Sequence, residues 1–345
     1  IGWILTEAGS DPTIMNGAVM KNFVDSDAPF ASSRVGAGEL MVSEVDESDG
    51  SIALFDPEIA VLNNVSLDHK SLEELRVLFG DFIADARYAV WNNDDAESKA
   101  LVASCGLENA RSVGIFEGAD YQALQVEEKA LGSSFTMRTG GVDYPVTLQI
   151  PGRHNIANAL AAIAASCATG VPVDRAIAAI EGFVGLARRF DIVGTANGIT
   201  VIDDFGHNPD KIAATLATLK AFPGRIIAFF QPHGFGPIKK MGAELAEVFS
   251  ENLDGDDRVI LCDPVYFGGT VDRTLGSQSI VDAITSAGGS AAYFAERQDC
   301  GDNIVEIAKT GDRIVIMGAR DDTLHIFAHS ILAAIANDQR GTDAV

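Results

Sequence analysis

Two series of short apolar runs, alternating with stretches of helical spacing, set the limits on how this chain folds. The first series places apolar runs at 40–43, 58–62 and 88–91 and helical patterns at 71–85 and 96–104. The second places apolar runs at 199–203, 225–230, 258–262, 291–294 and 313–317, each followed by a helical pattern. Parallel strands cannot be joined by a tight hairpin and need a crossover, usually a helix, so this alternation predicts an α/β protein with mostly parallel sheets. At 345 residues the chain also exceeds what one hydrophobic core usually serves, and two doubly wound domains are expected.

Between the two series the pattern changes. Residues 121–150 alternate apolar and polar positions around Gly132 and the pair Gly140-Gly141, which predicts a small antiparallel insert. Alanine-rich residues 155–169 predict a strong helix, and 173–181 a shorter one. Gly182-Phe183-Val184-Gly185-Leu186 reads as a hinge, which puts one domain at 1–185 and a second, Rossmann-like one at 186–345. The opening Ile1 to Gly9 has helical spacing and ends on glycine, like the back half of a helix, so further chain is expected before it.

The net charge of −24 argues against nucleic acid or an anionic membrane as partner, because neither is held without a basic face. Any anionic ligand must be gripped locally, by a metal, helix N-termini or a few arginines. No apolar run is long enough to span a bilayer, and no export signal opens the chain. Cys105, Cys167, Cys262 and Cys300 are scattered without metal-ligand spacing, as in the reduced thiols of a cytoplasmic protein.

Several stretches carry candidate chemistry. Glu44-Val45-Asp46-Glu47-Ser48-Asp49 follows an apolar run read as a buried strand; carboxylates at a strand's C-terminal end are placed to hold Mg²⁺ for phosphate chemistry. A solvated turn in which Ser48 and Asp49 cap the next segment is the competing reading. His69, after the run ending at Leu62, is a possible metal ligand if Glu44 converges on it, or part of a helix start. In Pro151-Gly152-Arg153-His154-Asn155-Ile156-Ala157-Asn158, two amides three apart share a helix face and can read an adenine edge; capping would account for Asn155 but not Asn158. Arg188-Arg189-Phe190 lies just past the hinge, where a guanidinium reaches phosphates on domain closure or simply pairs at the surface. Asp203-Asp204-Phe205-Gly206-His207-Asn208-Pro209-Asp210 leads from a strand into a helix with Pro209 in its first turn: a carboxylate there can bind a ribose hydroxyl, and His207 faces the crevice.

Taken together with Asp11-Pro12-Thr13-Ile14-Met15-Asn16-Gly17, Asn64 to His69, Gln231-Pro232-His233 and Gly311-Asp312 through Met317-Gly318-Ala319, these segments resemble, in order, the ATP-dependent Mur ligases of peptidoglycan synthesis. The likeness is greatest to the branch of muramate–alanine ligases and murein-tripeptide recycling ligases. The resemblance implies that Glu44 and His69 bind Mg²⁺, that His154, Asn155 and Asn158 surround the adenine of ATP, and that Asp204 holds its ribose. It further implies that Arg189 contacts the phosphates and that Asn16, His207, His233 and Lys239 meet the substrates, a UDP-N-acetylmuramate-type nucleotide sugar and an amino acid or short peptide. The implied reaction phosphorylates the sugar carboxylate and then lets an amine attack the acyl phosphate; addition of L-alanine is the first expectation, and a nucleotide-binding relative without the reaction and a murein-tripeptide recycling ligase are the alternatives.

Two departures qualify it. The family's N-terminal UDP-sugar domain and phosphate loop are not in these 345 residues, so this stretch is not expected to turn over alone. Where the alanine ligases carry Arg-Tyr-Ser-Arg after the Gln-Pro-His motif, this chain has Gly234-Phe235-Gly236-Pro237, then Ile238-Lys239-Lys240-Met241-Gly242, and it has Phe205 in place of a tyrosine. Both features resemble the recycling branch.

Overall fold

The computed structural model describes residues 1–338 apart from 29, 66–69, 117, 254 and 266–272. Its contacts divide the chain into two compact units, Ile1–Gly185 and Leu186–Val345.

The first unit runs α1 (Gly2–Glu7), β1 (Thr13–Met15), β2 (Ser33–Arg34), β3 (Met41–Ser43), β4 (Ile59–Leu62), α2 (Leu72–Ala84), β5 (Tyr88–Asn92), α3 (Ala96–Cys105), β6 (Ala110–Gly114), β7 (Tyr121–Lys129), β8 (Gly132–Thr139), β9 (Val142–Leu148), α4 (Arg153–Ala168) and α5 (Val173–Glu181). Strands β4 to β9 form one six-stranded sheet in sequence order, parallel from β4 to β7 and antiparallel from β7 to β9. The antiparallel segment is thus a continuation of the parallel sheet. Local chemistry fixes the helices between: Ser71 and Glu74 form a reciprocal capping box at the start of α2, and Asp95 caps α3, which stops at the left-handed Gly106. Helix α4 lies across β5, β6 and β7 and buries nine of its residues, most of them alanine, so it is apolar on more than one face and sits inside the core.

The run at 40–43 departs from expectation. It is not a buried strand of the parallel sheet; β3 belongs to a separate three-stranded sheet of order β2-β1-β3, and Met41 is 61% exposed. The cause lies just upstream. A Cβ on Gly36 would stand 2.1 Å from the Asp11 carbonyl oxygen, and one on Gly38 1.9 Å from that of Ser10, so only glycines let 36–38 lie against 10–12 and lead β3 alongside β1. Strands β3 and β4 therefore belong to different sheets, not to neighbouring places in one.

The second unit runs β10 (Asp191–Ala196), β11 (Ile199–Asp204), α6 (Pro209–Lys220), β12 (Ile226–Gln231), α7 (Phe235–Asn252), β13 (Arg258–Leu261), α8 (Ser277–Ser286), β14 (Ala291–Tyr293), α9 (Arg297–Ile307), β15 (Arg313–Gly318) and α10 (Thr323–Asn337). The sheet order is β10-β11-β15-β12-β13-β14, parallel except for the edge strand β10, which sequence periodicity did not mark. All six residues of β12 and of β15 are buried, as continuous apolar runs in a sheet covered on both faces must be. One face packs Ile202, Phe230, Phe249 and Met317; the other packs Phe229, Phe327, Ile316 and Ile331. Because β15 returns between β11 and β12, the C-terminal ends of these three strands gather where open α/β sheets bind ligands.

Phe229 is fully buried and its ring centre lies 5.0 Å from that of Phe327. Phe229→Ala should lower stability by about 3–5 kcal/mol in urea denaturation, the usual cost of an aromatic-sized core cavity. A loss below about 1 kcal/mol would mean that the two-faced core of this sheet is wrongly described.

Candidate functional site

Candidate side chains fall into separate groups within each unit. In the first, the parallel pairing of Met15 with Ser43 sets Asn16 and Glu44 side by side as the chain leaves β1 and β3. The Gly17 amide donates to Glu44 Oε2 at 2.7 Å, and the Asn16 side chain donates to the Ala18 carbonyl at 2.8 Å. Glu44 is exposed, and Oε1 remains for a ligand. Next to it, the Asp46 carboxylate accepts from the Ser48 amide and that of Asp49 from the Ser51 amide, which holds the Asp49 pKa below the usual carboxylate range. Much of this acidic run is therefore turn-forming, and Glu44 is the member that points elsewhere. Its expected partner His69 lies outside the described residues. Among the described residues no three His, Cys, Asp or Glu side chains converge on one point. Mg²⁺ commonly takes one or two carboxylates and completes its shell with water and phosphate oxygens, so Glu44 fits such an ion as a single ligand.

Helix α4 starts at Arg153 with Gly152 as its N-cap, two residues earlier than the sequence suggests. Asn155 therefore does not cap. It is the third helical residue, and its amide nitrogen donates to the Pro151 carbonyl at 2.7 Å. Asn158 lies on the same face, with its amide nitrogen 3.5 Å from Asn155 Oδ1, and both His154 and Asn158 are exposed. The amide face thus exists, with Asn158 the less committed of the two.

In the second unit a row of side chains follows the ends of β11 and β12. The guanidinium carbons of Arg188 and Arg189 lie 5.1 and 4.9 Å from the centre of the Phe205 ring. The Phe205 ring is 5.4 Å from that of His207, which is 5.2 Å from that of His233, each pair edge to face. His207 Nδ1 sits 2.9 Å from the Phe205 carbonyl oxygen, so Nδ1 carries a proton and donates it there. His233 Nδ1 is buried without a partner among the described residues. Burial first, then His207 and Arg320, pushes the His233 pKa down to about 4, and the ring is neutral at physiological pH. Lys239 is exposed on α7, next to the helix's buried Ile238.

The two arginines differ. Arg189 is exposed, whereas Arg188, at φ +60°, is buried and holds the end of β15 through a 2.8 Å bond to the Gly318 carbonyl, with Asp203 at 3.6 Å. A pair of surface arginines is therefore the wrong description. Asp203 is fully buried between Arg188 and His325; burial raises its pKa to about 6 against the opposing pull of the Arg188 guanidinium and the His325 ring. Asp204 also departs from expectation. Its carboxylate accepts from the Phe190 amide and the Gly206 amide at 2.8 Å each and from the Thr215 hydroxyl at 3.0 Å, and it is 8% exposed. A carboxylate so occupied and buried is a latch between the 188–190 loop, β11 and α6 and has little left for a ribose.

Sequence reasoning did not single out a further network at the same sheet end. Arg297 and Gln231 both donate to Asp321 at 2.8 Å, and Arg297 also reaches the Thr323 hydroxyl at 2.8 Å. The one available signal was that each of these residues stands at the end of a strand or the start of a helix.

A family model described as "Mur ligase middle domain" matches residues 19–166, and one described as "Mur ligase, glutamate ligase domain" matches 188–320. A "UDP-N-acetylmuramate--L-alanine ligase" of Desulforamulus reducens is 33% identical over 336 residues, covering 92% of this chain and 69% of its own length. Among solved structures, the UDP-N-acetylmuramate-alanine ligase of Thermotoga maritima superposes with a TM-score of 0.75 at 23% identity, over 96% of this chain and 70% of that one. A murein peptide ligase of Psychrobacter arcticus gives 0.65 at 24% identity, over 98% and 74%. At these identities the two structures speak for the fold.

Asp204→Ala leaves two amides and a hydroxyl without their acceptor and should cost at least about 3 kcal/mol, since each buried orphan costs roughly 1–3. A surface-like loss under about 0.5 kcal/mol in denaturant titration would refute the latch. His233 titrates below its ordinary 6.5, so its contribution is present above that value and is lost as pH falls through about 4. Asp203, raised from 3.8 to about 6, acts oppositely: its contribution is complete below 3.8 and is lost as pH rises through 6. His233→Phe should therefore lose less stability than the parent between pH 6.5 and 4, and parallel acid limbs would reject a neutral His233.

Proposed function

Since the chain belongs to the Mur ligase family, we propose that it is the catalytic part of an ATP-dependent ligase. The reaction joins an amino acid or short peptide to the carboxylate of UDP-N-acetylmuramate, in the making or recycling of peptidoglycan precursors. The observation that carries this reading is the 33% identity to a UDP-N-acetylmuramate–L-alanine ligase over 92% of the chain, with the motif residues at the strand ends described above.

The sugar carboxylate attacks the γ-phosphorus of ATP, releasing ADP and forming an acyl phosphate; the amine then attacks the acyl carbon, the acyl C–O bond breaks, inorganic phosphate leaves with that oxygen and the bonding pair, and the new amide nitrogen gives up a proton. In the first unit, Asn158 and Asn155 present an amide face to adenine beside His154, and Asn16 lies next to Glu44 for the nucleotide sugar. Glu44, with His69, would hold Mg²⁺, which when bound offsets charge between the phosphates and the attacking carboxylate. In the second unit, Arg189 is exposed and stacked on Phe205, free to meet phosphate oxygens, while buried Arg188 positions that loop. His233, neutral at physiological pH and with Nδ1 unpaired among the described residues, is an acceptor suited to the N–H groups of the incoming amine, His207 lies ring to ring beside it, and Lys239 suits the amine's carboxylate.

Glycine and proline at the start of α7, where the alanine ligases carry arginines, favour a peptide over free L-alanine as the amine, and Phe205 points the same way. Phosphate release by the full-length protein, given ATP, Mg²⁺, UDP-N-acetylmuramate and a panel of amino acids and peptides, tests both points. Amine-dependent release supports the ligase, a preference for peptides supports the recycling activity, and no release with any amine sinks the proposal in favour of a nucleotide-binding relative. Glu44→Gln should abolish Mg²⁺-dependent turnover with the fold intact; near-normal turnover removes Glu44 from the site. Asn158→Ala should raise the KM for ATP by about 1–3 kcal/mol in ΔΔG‡, and an unchanged ATP dependence ends its assignment to adenine.

A further inference from the structure

At the opposite end of the second unit's sheet, the segments entering β12, β13, β14 and β15 surround a cavity of about 460 Å³ that the reading above does not use. Its lining is rich in cations although the chain as a whole carries −24. Arg225 is already spent, donating to both oxygens of Asp312 at 3.1 and 2.5 Å and to the Ile307 carbonyl at 2.6 Å. Asp312 is spent likewise, since it also accepts from the Lys309 amide at 2.7 Å. The guanidinium of Arg258, the ammonium of Lys309 and the hydroxyl of Ser290 make no hydrogen bond or ion pair among the described residues, and all three line the cavity. Among the described residues that line the cavity, Asp256, which is exposed, and Asp312, taken up by Arg225, are the acidic ones.

A further charge stands behind the wall. Arg313 is nine-tenths buried, makes no ion pair among the described residues, and gives its terminal nitrogens to the carbonyls of Leu219 and Gly224, leaving Nε buried and unpaired. Gly224 keeps that wall thin: with φ at +122°, a Cβ there would stand 2.5 Å from the Gly311 carbonyl oxygen and 3.3 Å from Arg313 Nε. Uncommitted cations held together around a cavity repel one another unless something of opposite charge divides them.

We propose that this cavity is a second binding site, for a small phosphate-bearing anion, with Arg258, Lys309 and Ser290 as its donors. The volume suits a ligand of diphosphate or nucleotide size. A planar guanidinium, an ammonium and a hydroxyl from three separate segments meet the several oxygens of a phosphate better than the two of a single carboxylate. The site lies at the N-terminal ends of strands whose C-terminal ends carry the proposed chemistry, so its occupant is distinct from the reacting nucleotide.

Titration of the ¹⁵N-labelled chain with Mg²⁺-free pyrophosphate tests this. The amides of Gly224, Gly255, Ser290 and Gly311 should shift together and saturate; Arg258→Gln and Lys309→Gln should each weaken that binding at least ten-fold; and Asp256→Asn should tighten it. Citrate is the control for polycarboxylates and should bind at least ten-fold more weakly than pyrophosphate. Shifts confined to other parts of the chain, binding indifferent to both substitutions, or citrate binding as tightly as pyrophosphate would each overturn the proposal.

Discussion

The second unit depends on one buried carboxylate. Asp204 ends β11 and takes three hydrogen bonds at once, from a loop on its N-terminal side, from the turn that follows it and from a helix. Such an acceptor is worth having only where all its donors would otherwise be buried unpaired. The loop it fixes is strained, since Arg188 and Phe190 both have positive φ, and a non-glycine residue stays there only if its surroundings hold it. Holding Arg188 in that conformation turns its guanidinium inward to the end of β15 and leaves Arg189 outward on Phe205. One acidic side chain thereby assigns opposite duties to two adjacent arginines.

Much of this fold was legible because it is written in period. The parallel strands of the second unit are continuous apolar runs, the antiparallel strands 121–148 alternate, and α4 is nearly all alanine and apolar residues. What stayed hidden was set by tertiary contact. The run at 40–43 looks like a core strand, yet the close approach of Gly36 and Gly38 to residues 10–12 takes it into a small separate sheet. Strand β10 is an edge strand with a glycine and a register shift at its middle, which blurs its alternation.

The candidate site was legible in position more than in role. Strand ends and helix starts did gather Phe205, His207 and His233, whereas the neighbourhood of Glu44 and Asn16 follows from a small sheet that the pattern did not show. Motif spacing cannot reveal which partners each of two neighbours will meet, so Asp203 and Asp204, or Arg188 and Arg189, are equivalent on paper. Their partition follows from the twofold alternation of β11 and from the φ of one loop, neither of which the residue types announce. The capping reading of Asn155 fails for a similar reason: moving the helix start by two residues turns an N-cap into an interior position with a different hydrogen bond.

Charge placement connects these details. In a chain with 49 acidic and 25 basic side chains, an anionic ligand approaches against the general field and is held only where cations are concentrated and their own partners are few. Several basic residues here are already paired: Arg34 with Asp11, Arg76 with Glu97, Arg138 with Asp143, Arg225 with Asp312, Arg297 with Asp321. Each such pair removes one cation from the field and ties two segments of the chain together in return. Arg189, stacked on an aromatic ring without a carboxylate, and Arg258 with Lys309, facing one cavity, stand at opposite ends of the same parallel sheet. In a chain this acidic, an anion arriving at either place meets cations that no carboxylate among the described residues has neutralised.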